Sequence, residues 1–208
     1  LTIDNGANFG LAGAFTQTST ADTGSVSLGG DITTADADIG FGKGVTLSQG
    51  VALSTDTGDG NITFTETLDA TSAGAETLAL TAGTGNVTFT GIVGGTDRLG
   101  GVTLNQVADT TITSAVSAAS FDQPNGTAGT GTFLLNGNLD TNTGAITISS
   151  ATVDLNANVT TTAGNDGTTD NGLVTLNAGS GGLDLADGKT ITTTAATAGT
   201  TSGAIDIT

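Results

Sequence analysis

The sequence predicts an all-β protein wound as a right-handed parallel β-helix, a β-solenoid with essentially no helix. Three observations predict it. The composition is thin in bulky core residues, one short strand signature recurs along the whole chain, and no segment carries a helical period. Thr supplies 45 and Gly 34 of the 208 residues, while Phe supplies seven and Trp, Tyr, Met, Cys and His none. A compact globular core draws on large side chains in several layers. Here an interior must be built from Val, Ile, Leu and Ala, which suits a narrow shaft. Disorder is the competing reading of such a composition, but disordered chains combine low hydrophobicity with dense charge. This chain has 11% charged residues and regularly placed β-branched ones.

The signature is Gly, one or two small residues, apolar, Thr, apolar. It reads Gly44-Val45-Thr46-Leu47, Gly60-Asn61-Ile62-Thr63-Phe64, Gly85-Asn86-Val87-Thr88-Phe89 and Gly101-Val102-Thr103-Leu104. It returns at Gly144-Ala145-Ile146-Thr147-Ile148 and Gly172-Leu173-Val174-Thr175-Leu176, with looser copies starting at Gly24, Gly131 and Gly203. Period-two alternation sends both apolar residues to one side and the middle residue to the other, which is a half-buried strand. Weaker strands of the same type lie between, at 77–80, 111–113, 153–155, 183–185 and 190–192, separated by Gly, Asn, Asp and Ser. In the unit from Gly172 to Ser202, strands at 174–176, 183–185 and 190–194 precede a loop. Three short strands per turn is the layout of a parallel β-helix, and insertions at the bends account for uneven spacing. Greek-key sandwiches rarely repeat one strand sequence so often. Propellers carry an aromatic signature in each blade.

At about 20–30 residues per coil the chain predicts about seven to ten coils in a rod of about 35–50 Å. The whole of 1–208 reads as one solenoid segment. Leu1-Thr2-Ile3-Asp4 and Ala204-Ile205-Asp206-Ile207-Thr208 both read as strands, so each end is expected to be cut within the repeats of a longer protein.

The copies Gly60–Thr65 and Gly85–Thr90, with the run Ala75–Gly85 between them, resemble the repeats of filamentous-haemagglutinin-like adhesins. Giant repetitive bacterial surface proteins and autotransporter passengers share that style. The resemblance covers essentially the whole chain but is one of repeat style, and it carries over no binding residue. It implies secretion, with a place at the cell surface or in the extracellular matrix. It also implies a role in attachment or filament formation.

Charge narrows the partners. The net charge of −17 leaves only Lys43, Arg98 and Lys189 as cations, and such a surface repels nucleic acid and anionic lipid. No nucleic-acid partner and no membrane insertion are expected. An enzyme is not expected either. Lyase chemistry on acidic polysaccharides needs cationic groups and a base, and hydrolysis needs two carboxylates flanking a sugar. The pairs Asp36/Asp38, Asp56/Asp59 and Asp184/Asp187 all fall in turn-like sequence, where Asp is favoured for its bonds to backbone.

Calcium is the one cofactor for which the chain has suitable ligands, and no metal site is assigned. Asp56 and Asp59, and Asp166 and Asp170, lie in Asp/Asn/Gly-rich loops of the right chemistry, but match neither an EF-hand nor a β-roll nonapeptide. Ordinary Asx turns explain them as simply. Thr46, Thr63, Thr88, Thr103, Thr147 and Thr175 would form one outward ladder of the kind that binds ice only if their coils align, whereas β-propensity and cross-strand Thr pairing explain the same pattern with no ligand and the coil spacing is uneven. Turn-rich stretches at 121–131 and 161–172 are the loops most suited to recognition. The function read from all this is a structural shaft or filament-forming segment, with itself as partner through end-to-end coil stacking. The alternative is an adhesin module whose loops bind surface glycans or matrix.

Overall fold

A computed structural model describes residues 1–18, 24–124, 131–142, 144–163, 172–195 and 202–208. Among them there is no helix, and the strands form three parallel ladders that wind around one interior. The first face runs through Thr2–Ile3, Val26–Leu28, Val45–Leu47 and Leu68–Ala70. It continues through the start of Val116–Gln123, then Leu139–Thr141, Val159–Ala163 and Ile191–Ala195. The second face stacks Phe9–Leu11, Ile32–Thr34, Val51–Ser54 and Leu78–Thr81, and ends at Ile205–Ile207. The third stacks Phe15–Gln17, Ile39–Phe41, Ile62–Phe64, Val87–Phe89, Thr110–Ile112 and Thr132–Leu135. The longer strands Ile146–Leu155 and Val174–Leu185 each bend from the second face onto the third.

The strand triplets do what their sequence dictates. Val45–Leu47, Ile62–Phe64 and Val87–Phe89 each bury their first and third residues and leave the Thr between half-exposed. β-Branched and aromatic residues suit this pleated, one-sided surface. Six inward positions per turn, two from each face, then meet in the middle. About six turns, from Val26 to Leu155, are closed by buried side chains on all three faces. The fold is thus an all-β parallel solenoid. Phe41, Phe64 and Phe89 stack along the third face at centroid spacings of 5.2 and 5.5 Å and within 9° of parallel. The spacing follows from the strand separation of about 4.8 Å.

Bends are made by residues that let one turn lie directly on the last. The signature's leading Gly sits there. A Cβ on Gly85 would lie 2.1 Å from the Gly60 carbonyl oxygen, and one on Gly131 would lie 2.0 Å from that of Ala108. In both pairs the two residues hold equivalent places in successive turns, so the backbones touch where no side chain fits. At the inner corners Thr hydroxyls close the bends. Thr55 donates to the Gly60 carbonyl at 2.8 Å, and Thr141 to that of Gly144 at 3.0 Å. These bonds make a buried hydroxyl acceptable in an otherwise apolar interior.

The first face thins to one residue, Val93, which bridges Leu68 and Val116. Arg98 reinforces the shaft beside this gap. Its guanidinium donates to the carbonyls of Ala118 at 2.8 Å and Asp140 at 2.9 Å, and pairs with the Asp140 carboxylate. One side chain so ties three successive turns.

Candidate functional site

The acidic residues singled out by composition are placed on the bends, where they serve the backbone. Asp56 and Asp59 are exposed in the bend between Val51–Ser54 and Ile62–Phe64. Asp56 has a left-handed backbone, φ 67°, a conformation that Asp tolerates better than most residues. The turn beneath supports that bend, because Asp36 Oδ1 accepts the Gly58 N–H at 2.6 Å. Asp38 Oδ1 likewise accepts the Asn61 N–H at 2.7 Å. Two of the carboxylates that pairwise spacing offered for sugar hydrolysis are therefore engaged with main chain. Asp184 faces outward beside Asp154 of the turn below, and Asp187 lies exposed in the next bend. Among the described residues no three acidic side chains gather closely enough to hold a metal ion. Asp166 and Asp170 lie outside the described residues, as do 125–130 and 164–171 of the two recognition loops.

The six signature threonines do not form a single ladder. Thr46 lies on the first face, Thr63 and Thr88 on the third, and Thr103, Thr147 and Thr175 on the second. On the second face Asp122 separates Thr103 from Thr147. The reason is the winding itself: one signature serves all three faces, so equal sequences need not stack. The aligned pairs among the six named residues are Thr63–Thr88, extended by Thr111, and Thr147–Thr175.

What the structure assembles instead is a polar ladder of Asp and Asn along the bend before the third face. Asn61 Oδ1 accepts the Asn86 N–H at 2.9 Å, Asn86 Oδ1 that of Asp109 at 3.0 Å, and Asp109 Oδ1 that of Thr132 at 2.8 Å. With Asp38 below, four side chains clamp five successive turns. Shorter ladders follow the same rule on the other bends, as Asn8–Asp31–Ala52 and Asn138–Asn158–Thr190. Each side chain stands one residue before a strand and satisfies an N–H of the next turn that the strand ladder leaves over. The partners are 20 to 32 residues apart in sequence, so each bond is tertiary although it repeats locally. Reading Asn61 and Asn86 as mere turn formers misses this. The available signal is the Asn immediately before two of the apolar-Thr-apolar triplets, Asn61 before Ile62–Phe64 and Asn86 before Val87–Phe89.

No family model, curated protein or solved structure matches the chain.

The ladder makes a specific prediction. Asn86→Ala removes the acceptor for Asp109 and is expected to lower the unfolding free energy by about 1 kcal/mol, the net worth of one such bond. Asn86→Asp keeps an oxygen in place and is expected to lose less than half of that. Urea denaturation of the two variants measures the difference, and equal losses would show that the ladder bond contributes nothing.

Proposed function

We propose that this chain is a structural shaft, a filament-forming segment of an extracellular or cell-surface bacterial protein of the filamentous-haemagglutinin-like style. The observation that carries the reading is the continuity of its three ladders. Side chains stack on their own equivalents from turn to turn, as Phe41, Phe64 and Phe89 do, and each turn rests only on its neighbours. Such a body gains length without enlarging its core. Most of its outward strand positions are Thr, Ser or Asp, a polar coat of net negative charge that resists indiscriminate adhesion. Counting the partly covered layers at either end, we infer seven to ten coils. We take the winding as right-handed, because crossovers between parallel strands of one sheet are overwhelmingly so. Secretion and a surface location follow from the same resemblance, and end-to-end stacking of copies is the self-association this shaft would use.

A shaft tolerates loss of whole turns. Deleting residues 63–110 joins Ile62 to Thr111, putting Ile62 in the place of Thr110, on which the third ladder already superposes it through Val87. The shortened protein is expected to keep its β-sheet circular dichroism and to lose about 10 Å of length, two strand spacings, by small-angle scattering. Loss of fold would show that the turns depend on a global core and would remove the shaft reading. The stretches 121–131 and 161–172 begin inside the strands Val116–Gln123 and Val159–Ala163, so the adhesin alternative is read by deleting only 125–130 or 164–171: glycan-array binding that vanishes on either deletion would put it in the shaft's place.

A further inference from the structure

One side of the shaft is unlike the others. Between Phe41 and Val159 the third face passes to the first through short bends of equal length, 42–44, 65–67, 90–92, 113–115, 136–138 and 156–158. At the other two corners the connections of these turns vary, and include 55–61, 71–77 and 124–131. Charge is parted in the same way. The segments 39–44, 62–67, 87–92, 110–115 and 132–138 make up the third face and this corner, and their only charged residues are Lys43 and Glu66. The acidic residues of these turns stand elsewhere, among them Asp56, Asp59 and Asp109 at the preceding corner and Asp69, Asp122 and Asp140 on the other faces. What this side presents is small and uncharged. Thr63 and Thr65, Thr88 and Thr90, and Thr111 and Thr113 point outward in aligned pairs over the buried Phe64, Phe89 and Ile112. Ile92, 44% exposed, stands at their margin. Away from the two ends it is the one large apolar side chain so exposed among the described residues.

Resting on the shaft reading above and deepening it, we propose that two copies of this chain lie side by side and antiparallel through this clear side, with a two-fold axis along Val87–Ile92. The occupant is a second copy because a chain of charge −17 can approach its own kind most closely where that charge is absent. Closed two-fold pairs are also the commonest association of identical chains. On this axis Thr90 of one copy faces Thr90 of the other, Thr65 faces Thr113, and the two Ile92 side chains cover each other at the margin. Charge sets the direction. The antiparallel pair places Glu66 level with the uncharged turn of Thr113 and Ser114, and Lys43 level with that of Asn136. A parallel pair would hold the two Glu66 level with each other, and the two Lys43 likewise. The clear strip is about 24 Å long, five strand spacings, and about 20 Å wide, six extended residues. Covered on both copies it reaches about 1,000 Å², the lower bound for a specific interface. The contact is weak for one segment and grows with the length of two shafts laid together.

Sedimentation equilibrium of the 208-residue chain at high salt, which screens the repulsion between copies, reads the pairing. Thr90→Glu sets two like charges face to face and is expected to weaken the association by about tenfold or more. Ala79→Glu puts the same charge on the second face, between Ala52 and Thr103, and is expected to change nothing. Orientation is read with cysteines, since the chain has none of its own. Isotopically labelled Thr65→Cys chains are mixed with unlabelled Thr113→Cys chains and oxidised, and the disulfide-linked dimers are weighed by mass spectrometry. The expected product is the mixed dimer, in excess over both like pairs. Like pairs in equal or greater yield would overturn the antiparallel arrangement. Association that Thr90→Glu leaves intact, or weakens no more than Ala79→Glu does, would overturn the side-by-side contact and leave end-to-end stacking as the self-association. A strict monomer at high concentration would also overturn it. The shaft reading itself is tested separately, by the deletion of whole turns.

Discussion

Gly85→Ala is expected to be among the most damaging single methyls that this fold can receive. The added Cβ would lie 2.1 Å from the Gly60 carbonyl oxygen and 2.6 Å from its carbon, and both are backbone atoms that cannot swing aside. The two turns must separate at that bend, which strains the bonds from the Ile62 N–H to the Asn86 carbonyl and from the Thr84 N–H to the Gly58 carbonyl beside it. Overpacking of this kind costs about 3 kcal/mol. Gly40 provides the control. It occupies an outward strand position where an added Cβ would meet nothing within 4 Å, so Gly40→Ala is expected to fall within about 0.5 kcal/mol of the parent. Equilibrium urea denaturation distinguishes the two. Equal stabilities would mean that the turns do not approach as closely as the bend requires.

Phe64→Ala carries the second large effect. The ring is buried and sits between Phe41 and Phe89, so truncation removes both stacking partners and opens a cavity in the middle of the column. Phe-to-Ala changes in close-packed interiors cost about 3–5 kcal/mol. Phe64→Leu, which refills most of the space, is expected to cost less than half as much. Position adds a consequence that a globular core would not show. In a stack of nearest-neighbour contacts, a weak layer in the middle uncouples the two ends. Hydrogen exchange should then show residues before Phe41 and after Phe89 protected to different extents in Phe64→Ala, with equal global protection in the parent. A single uniform loss across all turns would contradict the linear organisation.

These two residues also show how far the sequence could be read. Phe64 and Phe89 were legible as inward residues because alternation with Thr63 and Thr88 fixes which side each strand buries. Gly60 and Gly85 were legible as bends, because Gly precedes the triplet so regularly. The reason for Gly at those places was not legible, since the clash is with a carbonyl in another turn. The clamp of Asp38, Asn61, Asn86 and Asp109 was hidden for the same reason: each bond joins residues a full turn apart. Local spacing made Asp36/Asp38 and Asp56/Asp59 look like paired acids, whereas Asp36 and Asp38 each bond the backbone of the next turn.

By itself, the sequence determined that the chain is all-β, that it repeats, and which side of each strand is buried. These follow from composition and from a period of two, both local properties. Only the tertiary structure decided which strand lies on which. Val45–Leu47, Ile62–Phe64 and Val102–Leu104 carry nearly the same triplet, yet belong to the first, third and second faces. The bends between them vary in length, so phase around the axis accumulates from every bend and cannot be read from any one. Phase separates the six signature threonines.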